Sequence, residues 1–433
     1  MGVRFLLGAL LPPLIIFAHL INLFVNWAVY NPVMAPPETG GVGKHLCAAL
    51  RAVTPACFLA CLPWSSGLAQ TSGAGTTAAP ILQVPMGACA VGMGSAFTAV
   101  AGDPFSIHYN PAGFATMMDK EAGLLYLKGL EDQNVEDVTF ASPLPFPGLA
   151  ADGYSTVGAY LLFAQNGTIQ VNQTNPDGSF LSSQSLSAGN DFVGALGYAE
   201  RFADVTTDLF GPMLRMEHFA GLTGKVIHST LAQQYSATAI AGDFGYLLRF
   251  PDTGWTGGAS LLNLGSKLKF VNVGDPLPTT FRVGAARVFD LQATTGQKSQ
   301  VTAALDMDYV AHENDWHANM GAEYAFGDIV AARIGYQFHQ DIAGLTAGFG
   351  IRLESFQVDY AWAMSDVFSD THRFSVTYRF GAVSAKERGA VLSPRPAYRA
   401  PSPVRPAPEE RPAPRPNQPN PGETEQGIPE WIY

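Results

Sequence analysis

Residues 121–380 alternate between apolar side chains and polar or small ones with a period of two. In Val330–Phe338 the even positions are Val, Ala, Ile, Tyr and Phe, and the odd positions between them are Ala, Arg, Gly and Gln. Trp316–Phe326, Phe356–Met364 and Phe374–Phe380 show the same alternation. Because successive side chains of a strand point to opposite faces, the pattern predicts an all-β structure whose strands each have one apolar face.

The occupants of the two faces distinguish a membrane barrel from a soluble sandwich. The polar face carries many Gly and Ala with scattered charges, which suits a crowded lumen better than bulk water. The apolar face ends in aromatics, as in Trp316 and Tyr324, or Tyr360 and Trp362. Aromatic girdles and segments of about ten residues are typical of strands that cross a bilayer. We therefore expect a transmembrane antiparallel β-barrel in the outer membrane of a Gram-negative-type bacterium, with a secreted β-sandwich as the alternative.

The number of segments predicts the size of the barrel. About 15 candidate strands are visible, and the strand number of single-chain bacterial barrels is even, so we expect 14 strands. They are expected to begin near residues 121, 135, 155, 191, 215, 236, 256, 280, 300, 316, 330, 343, 354 and 372. The polar stretch Asn166–Asn190 predicts a long outward loop with a small hairpin.

Composition excludes several classes of protein. With 47% hydrophobic and 14% charged residues the chain is not disordered as a whole. No apolar run of roughly 20 residues follows residue 62, which excludes a helical transporter. A net charge of -11 provides no basic patch, so nucleic acid is not an expected partner.

The sequence contains no motif that indicates an enzyme or a cofactor. Gly92-Met93-Gly94 lacks the third glycine and the surrounding βαβ unit of a dinucleotide site. His312, Glu313 and His317 suggest a metal site, but they flank a predicted turn. We expect a solvated loop there and no metal.

Residues 1–69 are interpreted as an export signal region. Lys44 and Arg51, the apolar Ala52–Leu62 and the small residues before Gln70 match a secretory signal peptide. The apolar stretch before it suggests that residues 1–33 are a mis-called start and that Met34 is the initiator. A membrane anchor at Val3–Tyr30 and a lipidated Cys61 are the alternatives.

Residues 70–118 are expected to form an N-terminal plug inside the barrel, the alternative being a periplasmic linker. The segment is apolar and rich in small residues, but too irregular for a strand, and its Asn-Pro pair favours a turn. The residues that define the plug motif are Gly92, Met93, Gly94, Asn110, Pro111, Ala112 and Gly113.

The barrel is expected to occupy residues 119–381 and to contain a network of charges in its lumen. Inward positions carry Asp306, Asp308, Glu323, Arg333, Asp359 and Arg379. Buried charges must be paired, so we expect a network that fixes the plug, with a ligand path as the alternative. On this basis Ile334→Arg, a charge on the lipid face, should reduce assembly far more than Arg333→Ile.

The two ends of the barrel segment have different expected roles. Phe374, Tyr378 and Phe380 form the apolar face of the strand that is expected to close the barrel. Residues 382–433 hold 12 of the 31 prolines and predict an extended periplasmic tail that builds no core.

Three segments resemble one family of outer-membrane barrels. Gly87–Gly113 is similar to its opening block of small residues followed by Asn-Pro-Ala-Gly, Asn263–Phe270 to its Asn-Leu-Gly segment, and Pro276–Gly284 to its Pro-Leu-Pro strand. On these motifs residues 80–381 resemble the FadL-like superfamily, and most closely its PorV/PorQ branch.

The resemblance implies a 14-stranded barrel with a plug and one of two functions. PorV-like members receive secreted proteins as they leave the translocon of the type IX secretion system, whereas FadL-like members pass hydrophobic small molecules such as fatty acids or aromatics. The expected partners are therefore outer-membrane lipid with either a secretion translocon and its secreted proteins or a hydrophobic small molecule. The secretion function is favoured, because the motifs match that branch best, and the Pro-rich tail departs from its pattern.

Overall fold

The fold is seen in a computed structural model that describes residues 75–129, 132–150, 154–208, 213–292, 298–339, 344–365 and 369–382. The interpretations of residues 1–69 and of the tail from residue 383 lie outside these ranges. No helix among the described residues has the length and apolarity needed to cross a membrane.

Among the described residues, eighteen strands follow a short segment of single helical turns. The turns are the 3₁₀ helices Pro80–Gln83, Pro104–His108 and Pro111–Thr116 and the helix α1, Ala88–Gly92. The strands are β1 Asp119–Lys128, β2 Gln133–Pro147, β3 Tyr154–Asn166, β4 Thr168–Thr174, β5 Phe180–Ser187, β6 Gly189–Asp208, β7 Met213–Leu231, β8 Tyr235–Phe250, β9 Trp255–Gly265, β10 Leu268–Lys269, β11 Gly274–Asp275, β12 Thr280–Gln292, β13 Lys298–Val310, β14 Asp315–Phe326, β15 Val330–Phe338, β16 Leu345–Leu353, β17 Phe356–Ala363 and β18 Thr371–Ala382.

Fourteen of these strands form one closed antiparallel barrel, which confirms the expected fold class and strand number. Every expected strand start lies within two residues of the observed one. The remaining four strands form two small hairpins, β4–β5 and β10–β11. The first of these lies in Asn166–Asn190, where a hairpin was expected.

The barrel closes through β1 and β18, which pair from Asp119↔Ala382 to Lys128↔His372. Phe374 and Tyr378 of β18 are exposed on the outside, while Ser375 and Thr377 between them are buried. The strand interpreted from its aromatic face as the closing strand is therefore the one that pairs with the first strand.

The two faces of the wall follow the predicted alternation. In β15 Ile334 and Tyr336 are exposed, whereas Arg333 and Gln337 are buried. The inward side of the barrel is thus the odd-numbered side of this strand, as its polar residues predicted.

Loop length identifies the two ends of the barrel. The connections β3–β6 and β9–β12 are long and carry the small hairpins, and both lie at the end where β1 finishes and β18 begins. The opposite end is joined by short turns. Outer-membrane barrels have short periplasmic turns and longer extracellular loops, so the first is named the extracellular end and the second the periplasmic end.

Strands β6 and β7 depart from the expected length of about ten residues. They contain 20 and 19 residues and continue past their neighbours at the periplasmic end. There Arg201 and Arg215 each form ion pairs with Asp204 and Glu217. The pairs Arg201–Glu217 and Arg215–Asp204 join the two strands and stabilise the projecting hairpin.

Candidate functional site

Most of the described segment before β1 lies inside the barrel. Residues 88–99 and 104–117 are buried apart from His108, which is partly exposed, and α1 packs on β15, β16, β17 and β18. The 3₁₀ helix Pro111–Thr116 packs on β3, β6, β7 and β8 at the other side of the lumen. Residues 80–117, named the plug from here on, therefore cross the lumen from wall to wall.

Inward-facing glycines allow the plug backbone to touch the strand backbone. A Cβ added at Gly335 would overlap the backbone nitrogen of Gly94, and one at Gly321 would overlap the carbonyl oxygen of Met93. At Gly348 an added Cβ would lie 3.0 Å from the Cα of Gly92. The wall carries these inward glycines on ten strands, namely Gly123, Gly158, Gly197, Gly221, Gly245, Gly258, Gly284, Gly321, Gly335 and Gly348. We call this set the glycine girdle. The polar face of the strands is rich in glycine because a side chain at these positions would overlap or crowd the plug.

The Gly-Met-Gly part of the plug motif makes the closest approach to the wall. Gly94 has a φ of +64°, a left-handed conformation that glycine adopts without strain. Its backbone N–H donates to Thr346 Oγ1 at 3.0 Å. A side chain at Gly94 would meet the backbone oxygen of Met320 at 2.5 Å. The motif therefore uses glycine both for its conformation and for its contact with β14 and β15.

The Asn-Pro-Ala-Gly part of the plug motif begins a helical turn. Asn110 caps this turn, because its Oδ1 accepts the N–H of Ala112 at 3.0 Å, and Pro111 occupies the first position, which needs no N–H. The Asn110 amide also donates to the carbonyls of Thr98 at 2.8 Å and Tyr246 at 3.0 Å. One fully buried side chain thus joins two parts of the plug to β8.

The six charged residues expected to form one lumen network are separated into two clusters. The first, named the Arg282 cluster, is formed by Arg282, Asp306, Asp308 and Asn319. Asp306 Oδ2 accepts the backbone N–H groups of Phe97 and Thr98, both at 2.8 Å. Arg282 donates to the carbonyl of Ser95 at 3.1 Å. This cluster therefore binds the plug backbone directly.

The remainder of the Arg282 cluster orients these groups. Arg282 Nε lies 3.1 Å from Asp308 Oδ1, and Asn319 donates to Asp308 Oδ2 at 2.8 Å. The guanidinium stands over the ring of Tyr109, 5.0 Å from its centroid, so a plug aromatic contributes a cation–π contact.

The second group, named the Arg333 cluster, lies towards the periplasmic end. Arg333 donates to Glu323 and to Asp359, each at 2.6 Å. Gln357 connects Asp359 at 2.8 Å to Arg379 at 3.0 Å. A small open cleft of about 40 Å³ lies between β14 and β17, and it is lined by Glu323, Arg333, Gln357 and Asp359. The cluster packs beneath the plug, since an added Cβ at Gly92 would lie 3.3 Å from the Cβ of Arg333.

Sequence reasoning missed four members of these clusters, Arg282, Asn319, Glu121 and Gln357. Arg282 belongs to the Pro276–Gly284 motif, and its even position shares the inward face of Gly284, so the alternation indicated its direction. Glu121, which accepts from Arg379 at 3.0 Å, begins the alternating region. Asn319 and Gln357 lie at inward positions of the alternation but carry no charge, so the search for charged residues did not include them.

The turn between β13 and β14 corrects one expectation. His312 is exposed, but Glu313 is buried and not solvated. It accepts hydrogen bonds from Thr77 and, at 2.9 Å, from Gln83, so the beginning of the plug and the residues just before it cover the carboxylate. No group of three metal-ligating side chains occurs in the part of the chain that the structure describes.

The extracellular half of the lumen is apolar on the side of β1–β8. Its buried side chains join those of the chain entering the plug and of the β9–β12 loop in one cluster. The main members are Ile81, Met86, Leu125, Leu127, Val135, Leu162, Val193, Ile227, Leu268 and Leu277. Ile81 and Met86 thus occupy the space that these walls enclose.

Comparison with known families identifies the chain. Residues 68–311, more than half of the sequence, match the family model described as type IX secretion system protein PorV. The chain belongs to the PorV family. The match spans the plug and the wall as far as β13. The Arg282 cluster therefore lies within it except for Asn319, and the Arg333 cluster lies outside it except for Glu121. As a member of this family the chain is an outer-membrane protein.

Several solved structures are similar to this PorV-family chain at low identity. A mutant of the monoaromatic hydrocarbon channel TodX is 10% identical, covers 68% of this chain and 98% of its own, and has a TM-score of 0.44. The toluene transporter TbuX of Ralstonia pickettii is 13% identical over 68% and 98%, with a TM-score of 0.37. A FadL homologue of Pseudomonas aeruginosa is 11% identical over 67% and 96%, with a TM-score of 0.35. No curated protein matches the chain.

Proposed function

We propose that this protein is an outer-membrane component of a type IX secretion system that receives secreted proteins as they leave the translocon. The observation that carries the proposal is the PorV family match, which includes the plug and the first nine strands of the barrel wall. The packing of the lumen supports it, because the plug backbone lies against the glycine girdle and leaves no protein-sized passage among the described residues.

The working surface for such a function is the extracellular end. The β4–β5 hairpin carries Phe180 and Leu181, which are 65% and 56% exposed, on a loop that is mostly polar. Val271 and Val273 of the β9–β12 loop are 61% and 77% exposed. Exposed apolar side chains at polar loop tips are typical of protein-binding surfaces.

The test combines secretion with co-purification. Phe180→Ser with Leu181→Ser should lower the amount of translocon protein that co-purifies and should retain secreted cargo in the cell. Ser182→Ala with Ser183→Ala on the same strand is the matched control, because it removes hydroxyls and leaves the apolar tip intact. Normal secretion and co-purification by the first double variant, with the barrel assembled, would contradict this surface.

A second candidate function is passage of a hydrophobic small molecule. It is favoured by the apolar extracellular half of the lumen, which Ile81 and Met86 occupy. Mass spectrometry of the protein extracted from its membrane distinguishes the functions: a bound fatty acid or aromatic compound supports a conduit, and a large translocon protein supports secretion. Ile81→Ala should increase the bound small molecule if the protein is a conduit.

A further inference from the structure

Arg287 points from the barrel wall towards the membrane. In β12 the even positions face the lumen, since a Cβ added at Gly284 would lie 3.1 Å from the Cβ of the plug residue Thr98. The alternation therefore directs Arg287 outward. Its lateral neighbours in the sheet are Trp255 of β9 and Ala303 of β13.

The guanidinium of Arg287 lies against two aromatic rings and has no acidic partner among the described residues. It lies 5.0 Å from the ring centroid of Trp255 and 4.6 Å from that of Phe289. Its Nε is buried without a hydrogen-bond partner, and no carboxylate of a described residue forms an ion pair with it. The arginines of the lumen clusters differ in this respect, since Arg282 and Arg333 each contact two carboxylates.

The depth of Arg287 matches the level of lipid headgroups. Trp255 is the first residue of β9, directly after a periplasmic turn. The backbone N–H of Val288 donates to the carbonyl of Gly254 in that turn at 2.9 Å. Trp and Tyr collect at the boundary between hydrocarbon and headgroups, and an arginine on the lipid face is tolerated near the interface at a cost of about 0–1 kcal/mol.

Small residues form a depression in the outer surface of the barrel, next to Arg287 on the side towards the hydrocarbon. The next outward pair towards the extracellular end is Gly257↔Ala285, and the one after it is Ala259↔Val283. A Cβ added at Gly257 would meet no atom within 4 Å, so the surface there is open. An acyl chain can lie along this depression while its headgroup remains beside the guanidinium.

We propose that Arg287, Trp255 and Phe289 form a binding site for the phosphate of a phospholipid in the periplasmic leaflet. The planar guanidinium donates two parallel hydrogen bonds to phosphate oxygens, which is the geometry that makes arginine a phosphate ligand. The two rings hold the guanidinium in place, and Gly257 with Ala285 receives an acyl chain. The site uses none of the lumen residues and is independent of the secretion proposal.

Titration followed by native mass spectrometry tests this site. The assembled barrel in neutral detergent is titrated with dioleoyl phosphatidylglycerol, and its dissociation constant is determined from the fraction of barrel that carries one lipid. Arg287→Gln should raise the dissociation constant about tenfold, since it removes charge-assisted hydrogen bonds, and Arg287→Lys should have an intermediate effect. Lys120→Gln is the matched control, because Lys120 is another cation at the periplasmic end and has no ion pair among the described residues.

Two further probes identify the part of the lipid that is recognised. Dioleoylglycerol, which lacks the phosphate, should bind wild type and Arg287→Gln equally weakly. Inorganic phosphate should not displace the phospholipid, because it lacks acyl chains. Equal lipid affinity of wild type and Arg287→Gln would overturn the proposal, as would an equal loss in Lys120→Gln. If Arg287→Gln keeps its lipid but loses a co-purifying membrane protein, the arginine binds a protein partner and the lipid site is refuted.

Discussion

At the scale of single residues, buried charges hold the plug in the barrel. Asp306 accepts two backbone N–H groups of the plug, and Arg282 donates to a plug carbonyl. Hydrogen bonds to charged groups contribute about 1.5–3 kcal/mol each to stability. A single carboxylate can therefore control how firmly the plug is held, and Cys89 on the buried face of α1 provides a native reporter for it.

Asp306→Asn should loosen the plug without opening the barrel. The amide oxygen accepts more weakly than the carboxylate, and the ion pair with Arg282 is lost. We expect alkylation of Cys89 by a water-soluble maleimide to become about tenfold faster, the factor that corresponds to 1.4 kcal/mol. Asp290→Asn is the control, because Asp290 is exposed and bonds only to Gln300 among the described residues. Equal alkylation rates in wild type and Asp306→Asn would show that this carboxylate does not retain the plug.

Asp103 makes the stability of the plug depend on pH. Burial raises the pKa of its carboxyl to about 6, while its bond to the N–H of Phe105 at 2.7 Å lowers it by less. The folded state thus binds a proton that the unfolded state has lost, so the stability from this group is present below the unfolded pKa of 3.8 and is lost as the pH rises through about 6. Asp103→Asn keeps an N-cap acceptor and does not titrate.

The expected result is that Asp103→Asn is more stable than wild type at pH 7 and that this difference shrinks towards pH 4. Because the side chain is partly exposed, the difference should be smaller than the roughly 3 kcal/mol that a shift of about two units represents. Urea unfolding of the detergent-solubilised barrel at several pH values measures it. A pH-independent difference between the two proteins would exclude titration of Asp103.

Arg333 shows how the structure changes an expectation from the sequence. Ile334→Arg places a charge on the lipid face at a cost of about 2–4 kcal/mol near the midplane. Arg333→Ile leaves Asp359 and Glu323 without their cation, and loss of one partner from a buried pair costs about 3–5 kcal/mol. We therefore expect Arg333→Ile to reduce the heat-modifiable, assembled fraction on semi-native gels at least as much as Ile334→Arg. Ile334→Val should assemble normally. Wild-type assembly of Arg333→Ile would instead support the expectation from the sequence that Ile334→Arg is the more harmful substitution.

At the scale of elements, the plug fits because backbone touches backbone. The glycine girdle removes side chains from the inner wall at the level of the plug, and the helical turns of the plug lie directly on the strands. Close-packed interiors do not absorb an added methyl group without a shift. The close fit of the plug therefore requires glycine at these positions of the strands.

Gly335→Ala tests this dependence. The added methyl would overlap the backbone of Gly94, which has no flexible end to move aside. We expect the barrel to assemble, the plug to be displaced and Cys89 alkylation to rise more than tenfold, because overpacking costs about 1–3 kcal/mol or more. Gly224→Ala is the matched control, because an added Cβ there meets no atom within 4 Å. Slow alkylation in both variants would contradict the close contact.

At the scale of the whole molecule, closure of the sheet decides whether the chain is stable in a membrane. The pairing of β1 with β18 leaves no free edge, and unpaired backbone groups in hydrocarbon cost several kcal/mol each. The plug fills the enclosed lumen, and both long loops lie at one end. The molecule therefore presents its loops to one compartment and both ends of the barrel segment to the other.

Truncation from the C-terminus should separate the barrel from the tail. Deletion of residues 386–433 leaves β18 intact and is expected to give a folded, heat-modifiable barrel. Deletion from Thr371 onward removes the closing strand and should give no assembled protein. Phe380→Asp should also prevent assembly, because a charge replaces the terminal aromatic residue of that strand. Failure of the 386–433 deletion to assemble would assign the tail a structural role.

The sequence alone determined the barrel, because lipid and lumen impose opposite demands on alternate residues of every strand. That demand is local, so strand starts, faces, strand number and the PorV-family resemblance were readable from residue order. Only the tertiary structure decided which lumen charges meet: Asp306 and Arg333 both point inward, but strand register places them in separate clusters. It also decided that Thr77 and Gln83 cover Glu313 and that Arg287 lies against the rings of Trp255 and Phe289. The alternation along one strand does not indicate such contacts. Periodicity gives the direction of a side chain, and register and packing determine what it touches.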